Sequence, residues 1–183
     1  MTLEEFKIKV LSMIEEYDEG AENLTQDEDI ALKLNSVINQ VQNELARFKK
    51  IDAYKQMAVT EGQAINLTDI DMNIYQLNVI KGIPFDPIGG KIIFGETGTA
   101  DIYYYKYPKQ INADTEDDYK FELDRDVIEI MVYGVAADLL KSDVASNYGQ
   151  VYANRYKELV QTLDPRRGMQ VMYFDTSDSM DFL

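Results

Sequence analysis

The hydrophobic period of this chain changes twice, and that change limits the folds open to it. Apolar residues recur at helical spacing from Thr2 to Phe48, alternate from about Met57 to Tyr107, and return to helical spacing between Asp124 and Leu163. A chain ordered helices, then strands, then helices predicts an α+β fold rather than alternating βαβ units. The expected architecture is a helical scaffold with an inserted small antiparallel β subdomain and an extended C-terminal arm. Its parts are an N-terminal helix pair (1–50), a β-rich insertion (51–110), a C-terminal helix pair (111–165) and the arm (166–183).

Each helix carries its own start and stop signals. Thr2 with Glu5 three residues on forms a capping box ahead of Phe6, Val10, Met13, Ile14 and Tyr17, and Gly20 is the expected terminator. Thr25 with Glu28 repeats the box ahead of Ile30, Leu34, Val37, Ile38, Val41, Leu45 and Phe48, with Lys49 and Lys50 complementing the C-terminal dipole. A short acidic loop between them predicts an antiparallel pair. Asp124 is the expected cap of a third helix, in which Val127, Ile128, Met131, Val135, Leu139 and Leu140 form a buried face and Gly134, Ala136 and Ala137 permit close approach. The chain turns at Ser142-Asp143. A fourth helix with Tyr148, Val151, Tyr152, Tyr156, Leu159, Val160 and Leu163 must end before Asp164-Pro165, and its tyrosine stripe is read as core.

The middle segment reads as short strands: "KQMAVT", "QAINLT", "NIYQLNVIKG", "GKIIFG" and "ADIYYYKYP". Glu61-Gly62, Asp69 to Asp71, "FDPIGG" and "GETGT" are read as the turns between them. "GETGT" resembles the opening of a phosphate-binding loop, but Ala100, Asp101 and Ile102 stand where Gly, Lys and Ser or Thr are required, so it is a strand connection. Thr68, Asp69 and Asp71 lack the twelve-residue calcium-loop pattern and are read as a turn.

The inventory of side chains excludes whole classes of chemistry. With no Cys and no His, thiolate metal sites, disulfides and Ser/Cys–His catalysis are excluded. No catalytic constellation, metal site or cofactor site is identified, and enzymatic activity is not expected. The net charge of −15 opposes binding to a nucleic-acid backbone. There is no apolar run of membrane length, and "MTLEEFKIKV" is unlike a signal peptide, so no membrane partner is expected.

The segment from Glu122 to Asp164, with Tyr133, Ala136, Ala137, Leu139 and Leu140 and then Asp143, Tyr148, Tyr152 and Tyr156, resembles the head-to-tail connector, or adaptor, proteins of tailed bacteriophages. "ADIYYYKYPKQI" and "LKLNSVINQVQNELARFKKI" share in the likeness, whereas the strand-rich middle departs from the mostly helical pattern of that family. The resemblance implies a structural virion protein at the capsid–tail neck, assembled in the host cytoplasm. Its partners would be further copies of itself in a ring, commonly of twelve, the portal protein above, and the next neck or tail protein below. DNA would pass through the lumen without specific binding, with acidic residues of Asp27–Asp29 or Glu116–Asp118 facing it. The candidate partner interface is the arm, with Arg166 and Arg167 for carboxylates and Met169, Val171, Met172, Tyr173 and Phe174 to fill a groove or pair with a strand. The alternative reading is a monomeric acidic module that mimics DNA and inhibits a nucleic-acid enzyme.

Overall fold

A computed structural model describes residues 1–142 and 147–163. The fold is α+β, with two separate hydrophobic cores, one among the helices and one between two small sheets.

The helical body is organised around α4 (Arg125–Leu139), against which α1 (Leu3–Met13), α2 (Glu28–Phe48) and α5 (Tyr148–Thr162) all pack. Burial along α4 runs almost all round, through Val127, Ile128, Ile130, Met131, Val132, Gly134, Val135, Ala136 and Leu139, as expected of a central helix. The expected α1–α2 pair is therefore replaced by two helices that each dock chiefly on α4. The predicted capping box at the first helix is present, with Thr2 N–H donating to Glu5 Oε2 (2.8 Å) and Glu5 N–H to Thr2 Oγ1 (3.2 Å). That helix stops at Met13, well before Gly20, and Glu15 takes a left-handed φ of 64° as the chain leaves it. Tyr17 consequently lies outside the helix.

The second cap is displaced by two residues from the expectation. Asp27, not Thr25, caps α2, accepting from Ile30 N–H at 3.0 Å, while Thr25 is buried and its Oγ1 takes the N–H of Asp27. Asp124 is the N-cap residue of α4 as expected, but its carboxylate makes no capping hydrogen bond and pairs with Lys49 at 3.4 Å.

The β unit contains six strands in two antiparallel sheets. In the larger sheet β6 (Gly98–Lys106) lies between β1 (Ile51–Val59) and β3 (Ile74–Lys81). In the smaller, β5 (Lys91–Phe94) lies between β2 (Ala64–Asn66) and β4 (Phe85–Ile88). "FDPIGG", expected as a turn, supplies β4, and only Gly89 and Gly90, both with positive φ, make the turn to β5. Asp69 lies in a single helical turn, α3 (Leu67–Ile70), between β2 and β3. "GETGT" carries the chain from one sheet to the other: Gly95 N–H donates to Pro84 C=O (2.8 Å) and Thr97 Oγ1 accepts from Glu61 N–H (3.0 Å). Its backbone and hydroxyl are thus engaged within the fold. Gly82, at φ +93° and with the Thr99 carbonyl 2.9 Å from where a Cβ would stand, has to be glycine.

Two amides, a half-buried Asn39 and a buried Gln42, fasten the connector after β6 to the helical body. Asn39 on α2 imitates a strand, donating to Ile111 C=O (2.7 Å) and accepting from Ile111 N–H (2.8 Å). Gln42, fully buried one turn on, donates to Asn39 Oδ1 and to Lys109 C=O. Glu122 pairs with Lys106 and accepts the Lys109 N–H, tying the end of β6 to the segment leading into α4.

Candidate functional site

Among the described residues the larger sheet is packed over on one face, the inner one. Its inner face sets Ala53, Lys55 and Met57 of β1, Ala100, Ile102 and Tyr104 of β6, and Leu77 and Ile80 of β3 against the smaller sheet and α3. Lys55 survives there because its ammonium reaches the carbonyls of Ile70 (2.6 Å) and Asp69 at the end of α3.

On the outer face three rows cross the strands. The register sets Asp52, Tyr105 and Gln76 side by side, then Tyr54, Tyr103 and Val79, then Gln56, Asp101 and Lys81. Tyr107 extends the row of Tyr103 and Tyr105 just beyond the end of β6. Tyr75 joins them because the ladder slips between Ile74 and Gln76, a bulge that re-aims the extra side chain. Its hydroxyl donates to the Ala46 carbonyl of α2 (3.2 Å), and its ring lies 4.7 Å from Tyr107 and 6.4 Å from Tyr105 between centroids. Tyr54 and Tyr103 meet at 5.0 Å. Such spacings are those of favourable ring pairs.

Three cations lie over this aromatic row. Lys50 Nζ is 4.2 Å from the Tyr105 ring centroid, Lys81 Nζ 5.1 Å from Tyr103, and the Arg47 guanidinium 5.7 Å from Tyr107. All three are exposed, and none is in an ion pair with a described carboxylate. Of the two acids on the face, Asp101 is committed to Tyr54 Oη–H and Gln56 Nε2–H, both at 2.8 Å. The Tyr54 bond holds the Asp101 carboxyl below its usual range, and the same bond pushes the Tyr54 hydroxyl up. Burial, followed by the neighbouring phenols, raises Tyr75. The face therefore presents ring surfaces and three cations, together with the exposed carboxylate of Asp52 beside Tyr105. It is suited to holding apolar and anionic groups, and carries no poised nucleophile or base.

The charge elsewhere is the reverse. Glu4, Glu22, Asp114, Glu116 and Asp117 line a cleft of about 610 Å³ between the first turns of α1 and α2 and the 112–117 loop, with Lys7 the cation among them. Glu116 and Asp117 of the predicted acidic clusters thus reach this cleft. Asp27 instead caps α2, and Asp29 lies within 3.9 Å of Lys33 on the helix surface.

The predicted interface residues Arg166, Arg167, Met169, Val171, Met172, Tyr173 and Phe174 lie outside the described residues. Asp69 and Asp71, weighed above as calcium ligands, have internal roles. Asp69 accepts from Asn66, and Asp71 accepts from Asn73 N–H (2.8 Å) and Tyr104 Oη–H (3.0 Å). Among the described residues no cluster of three or more acidic side chains is placed to hold a metal ion. The tyrosine stripe of α5 divides: Tyr156 packs against Gly134, Tyr152 donates to the Met13 carbonyl (2.8 Å), and Tyr148 is 61% exposed.

The outer sheet face was absent from the sequence-based expectations, although "DIYYYKY" holds its signal. Alternation in a strand places Tyr103, Tyr105 and Tyr107 on one face and Tyr104 on the other. Comparison of the chain with protein-family models and with curated proteins gives no match.

Proposed function

We propose that this chain is a structural subunit of the neck of a tailed bacteriophage, a head-to-tail connector that assembles as a ring beneath the portal and docks the next neck or tail component. The single observation that carries the assembly part is the outer face of the β1–β6–β3 sheet: a row of tyrosines overlaid by exposed cations and left uncovered by the described residues. Tyrosine and arginine are the side chains that interfaces favour, because rings bury large area at little entropic cost and the polar tips remain satisfiable when wet. The likeness of the segment from Glu122 to Asp164 and of "LKLNSVINQVQNELARFKKI" to phage adaptors supplies the identity of the assembly. The roles of the described carboxylates, in caps, turns and a solvated cleft, suit a scaffold better than a hydrolytic site.

The acidic cleft agrees with a surface that DNA passes without adhering, since fixed negative charge repels a phosphate backbone. A DNA mimic would instead carry its negative charge spaced along one face, whereas the outer face of the β1–β6–β3 sheet carries rings and cations. Negative-stain micrographs of the protein mixed with the portal of the same phage test the reading. Rings of uniform diameter seated on portals are expected; monomers alone, with portals bare, overturn it.

A further inference from the structure

We infer that the outer face of the β1–β6–β3 sheet is the seat for the acidic C-terminal segment, residues 175–183, of a neighbouring copy of the chain. This rests on the assembly reading above, and it names the surface and the segment that meet.

Charge selects the occupant. The face offers three cations, Arg47, Lys50 and Lys81, over tyrosine rings against two carboxylates, Asp52 and Asp101, and Asp101 beside Lys81 is already held by Tyr54 and Gln56. In a chain with 33 acidic and 18 basic residues, three such cations gathered on one face are a local reversal of sign. The C-terminal segment is its complement. Asp175, Asp178 and Asp181 are its only charged side chains, and Met180, Phe182 and Leu183 supply apolar groups for ring surfaces. Carboxylates that meet a lysine already desolvated on one side by a ring gain more than they would from a fully hydrated ammonium.

Geometry permits the contact. Leu140, at the end of α4, lies beside Gly149 at the start of α5, and Gly134 lies beside Tyr156, so the two helices run antiparallel. Leu163 therefore packs toward the N-terminal end of α4, where Asp124 meets Lys49 and the chain enters β1. Leu163, the last described residue, thus lies toward the end of the helical body that bears the sheet. Extended, residues 164–174 span at most roughly 35 Å, enough to reach an adjoining copy. Residues 101–107 cover roughly 20 Å of the face, the length of an extended segment such as 175–181. Alternation would direct side chains of one parity, Asp175, Ser179 and Asp181 among them, toward the same side.

The absence of cysteine provides a direct test in the full-length chain. Val79→Cys places a thiol on the face at a position 38% exposed, and Ser179→Cys places one in the segment. The two single variants are mixed, oxidised mildly and resolved without reductant. The expected result is a Val79→Cys/Ser179→Cys cross-linked dimer well above the background set by Ile88→Cys, an exposed position on the smaller sheet. Lys50→Glu with Lys81→Glu in the face should lower its yield about fivefold, the order expected from reversing two partly exposed pairs. Asp175→Lys with Asp181→Lys in the tail, both of the parity of Ser179, should then restore part of it.

A yield no higher than the Ile88→Cys control overturns the inference, and so does a yield indifferent to the charge reversals. A disulfide that forms only within the double variant, not between the two singles, assigns the segment to its own sheet and overturns the neighbour contact. Loss of the cross-link on adding a single-stranded oligonucleotide at physiological salt assigns the face to nucleic acid. The ring reading is judged separately: rings that form without the cross-link leave it standing, and a cross-linked dimer that never closes on a portal removes it alone.

Discussion

At Gly134 both α2 and α5 approach α4 closely, and Gly134→Ala tests that packing. A Cβ built there would stand 2.8 Å from the Tyr156 ring edge and 2.8 Å from a Val41 methyl, so α2 and α5 both approach α4 through the missing side chain. Two effects oppose each other. Replacing a mid-helix glycine by alanine favours the helix by about 1 kcal/mol. Forcing a methyl between a ring and a β-branched side chain, neither of which yields by rotation alone, costs about 1–3 kcal/mol by overpacking. Because both contacts fall below any normal carbon–carbon approach, the second effect wins, and a net destabilisation of about 1–2 kcal/mol is expected. For a chain of this size that lowers the melting temperature by about 2–8 °C. Calorimetry on Gly134→Ala gives the sign, and adding Val41→Ala should recover part of the loss through non-additivity of neighbours. A melting temperature that rises, with helix propensity prevailing, would refute the close approach of the three helices.

Three further outcomes follow from other parts of the structure. Asn39→Ala removes both bonds to Ile111 and leaves its N–H and C=O unpaired beside the core, so chemical denaturation should show a loss of about 2–3 kcal/mol; an unchanged midpoint would mean the connector is held otherwise. Burial first, and then the bond to Asp71, push the Tyr104 hydroxyl up to about 12 from an ordinary 10. A raised phenol pKa leaves stability intact below pH 10 and drains it as the unfolded chain ionises first, so stability should fall between pH 10 and 12, with Tyr104→Phe showing a shallower fall. An equally steep fall in that variant would remove Tyr104 as a cause. Deleting residues 166–183 should leave the melting temperature of the monomer unchanged, because the described residues by themselves supply both hydrophobic cores, while abolishing assembly; a lowered melting temperature would place the arm in the subunit's own core.

The sequence conveys those parts of the fold that rest on local chemistry. The Thr2–Glu5 box, the long apolar stripe of α2 and the almost uniformly apolar α4 are stated by spacing alone, and the structure follows them. Partner choice is less legible. A stripe on α1 says that a face is buried, not that α4 covers it in preference to α2. Thr25 and Asp27 both suit a cap, and what separates them is burial of Thr25, a tertiary fact. Pro87 and the glycines after Ile88 gave "FDPIGG" the look of a turn, yet edge position on the sheet tolerates the proline in β4. The aromatic face depends on non-local register: β6 and the residue after it show Tyr103, Tyr105 and Tyr107 on one side, but Tyr54, Tyr75 and the cations come from β1, β3 and the end of α2. Alternation could reveal the row, and only pairing could reveal what lies over it.

The most direct measurement of the central claim is the mass of the full-length protein by native mass spectrometry, alone and after mixing with the portal of the same phage. A subunit has a mass of 21.0 kDa. The account predicts a closed multiple of that mass, present in the free protein or formed on the portal. A species that stays at 21.0 kDa in both conditions, at concentrations where the portal itself is assembled, would contradict it.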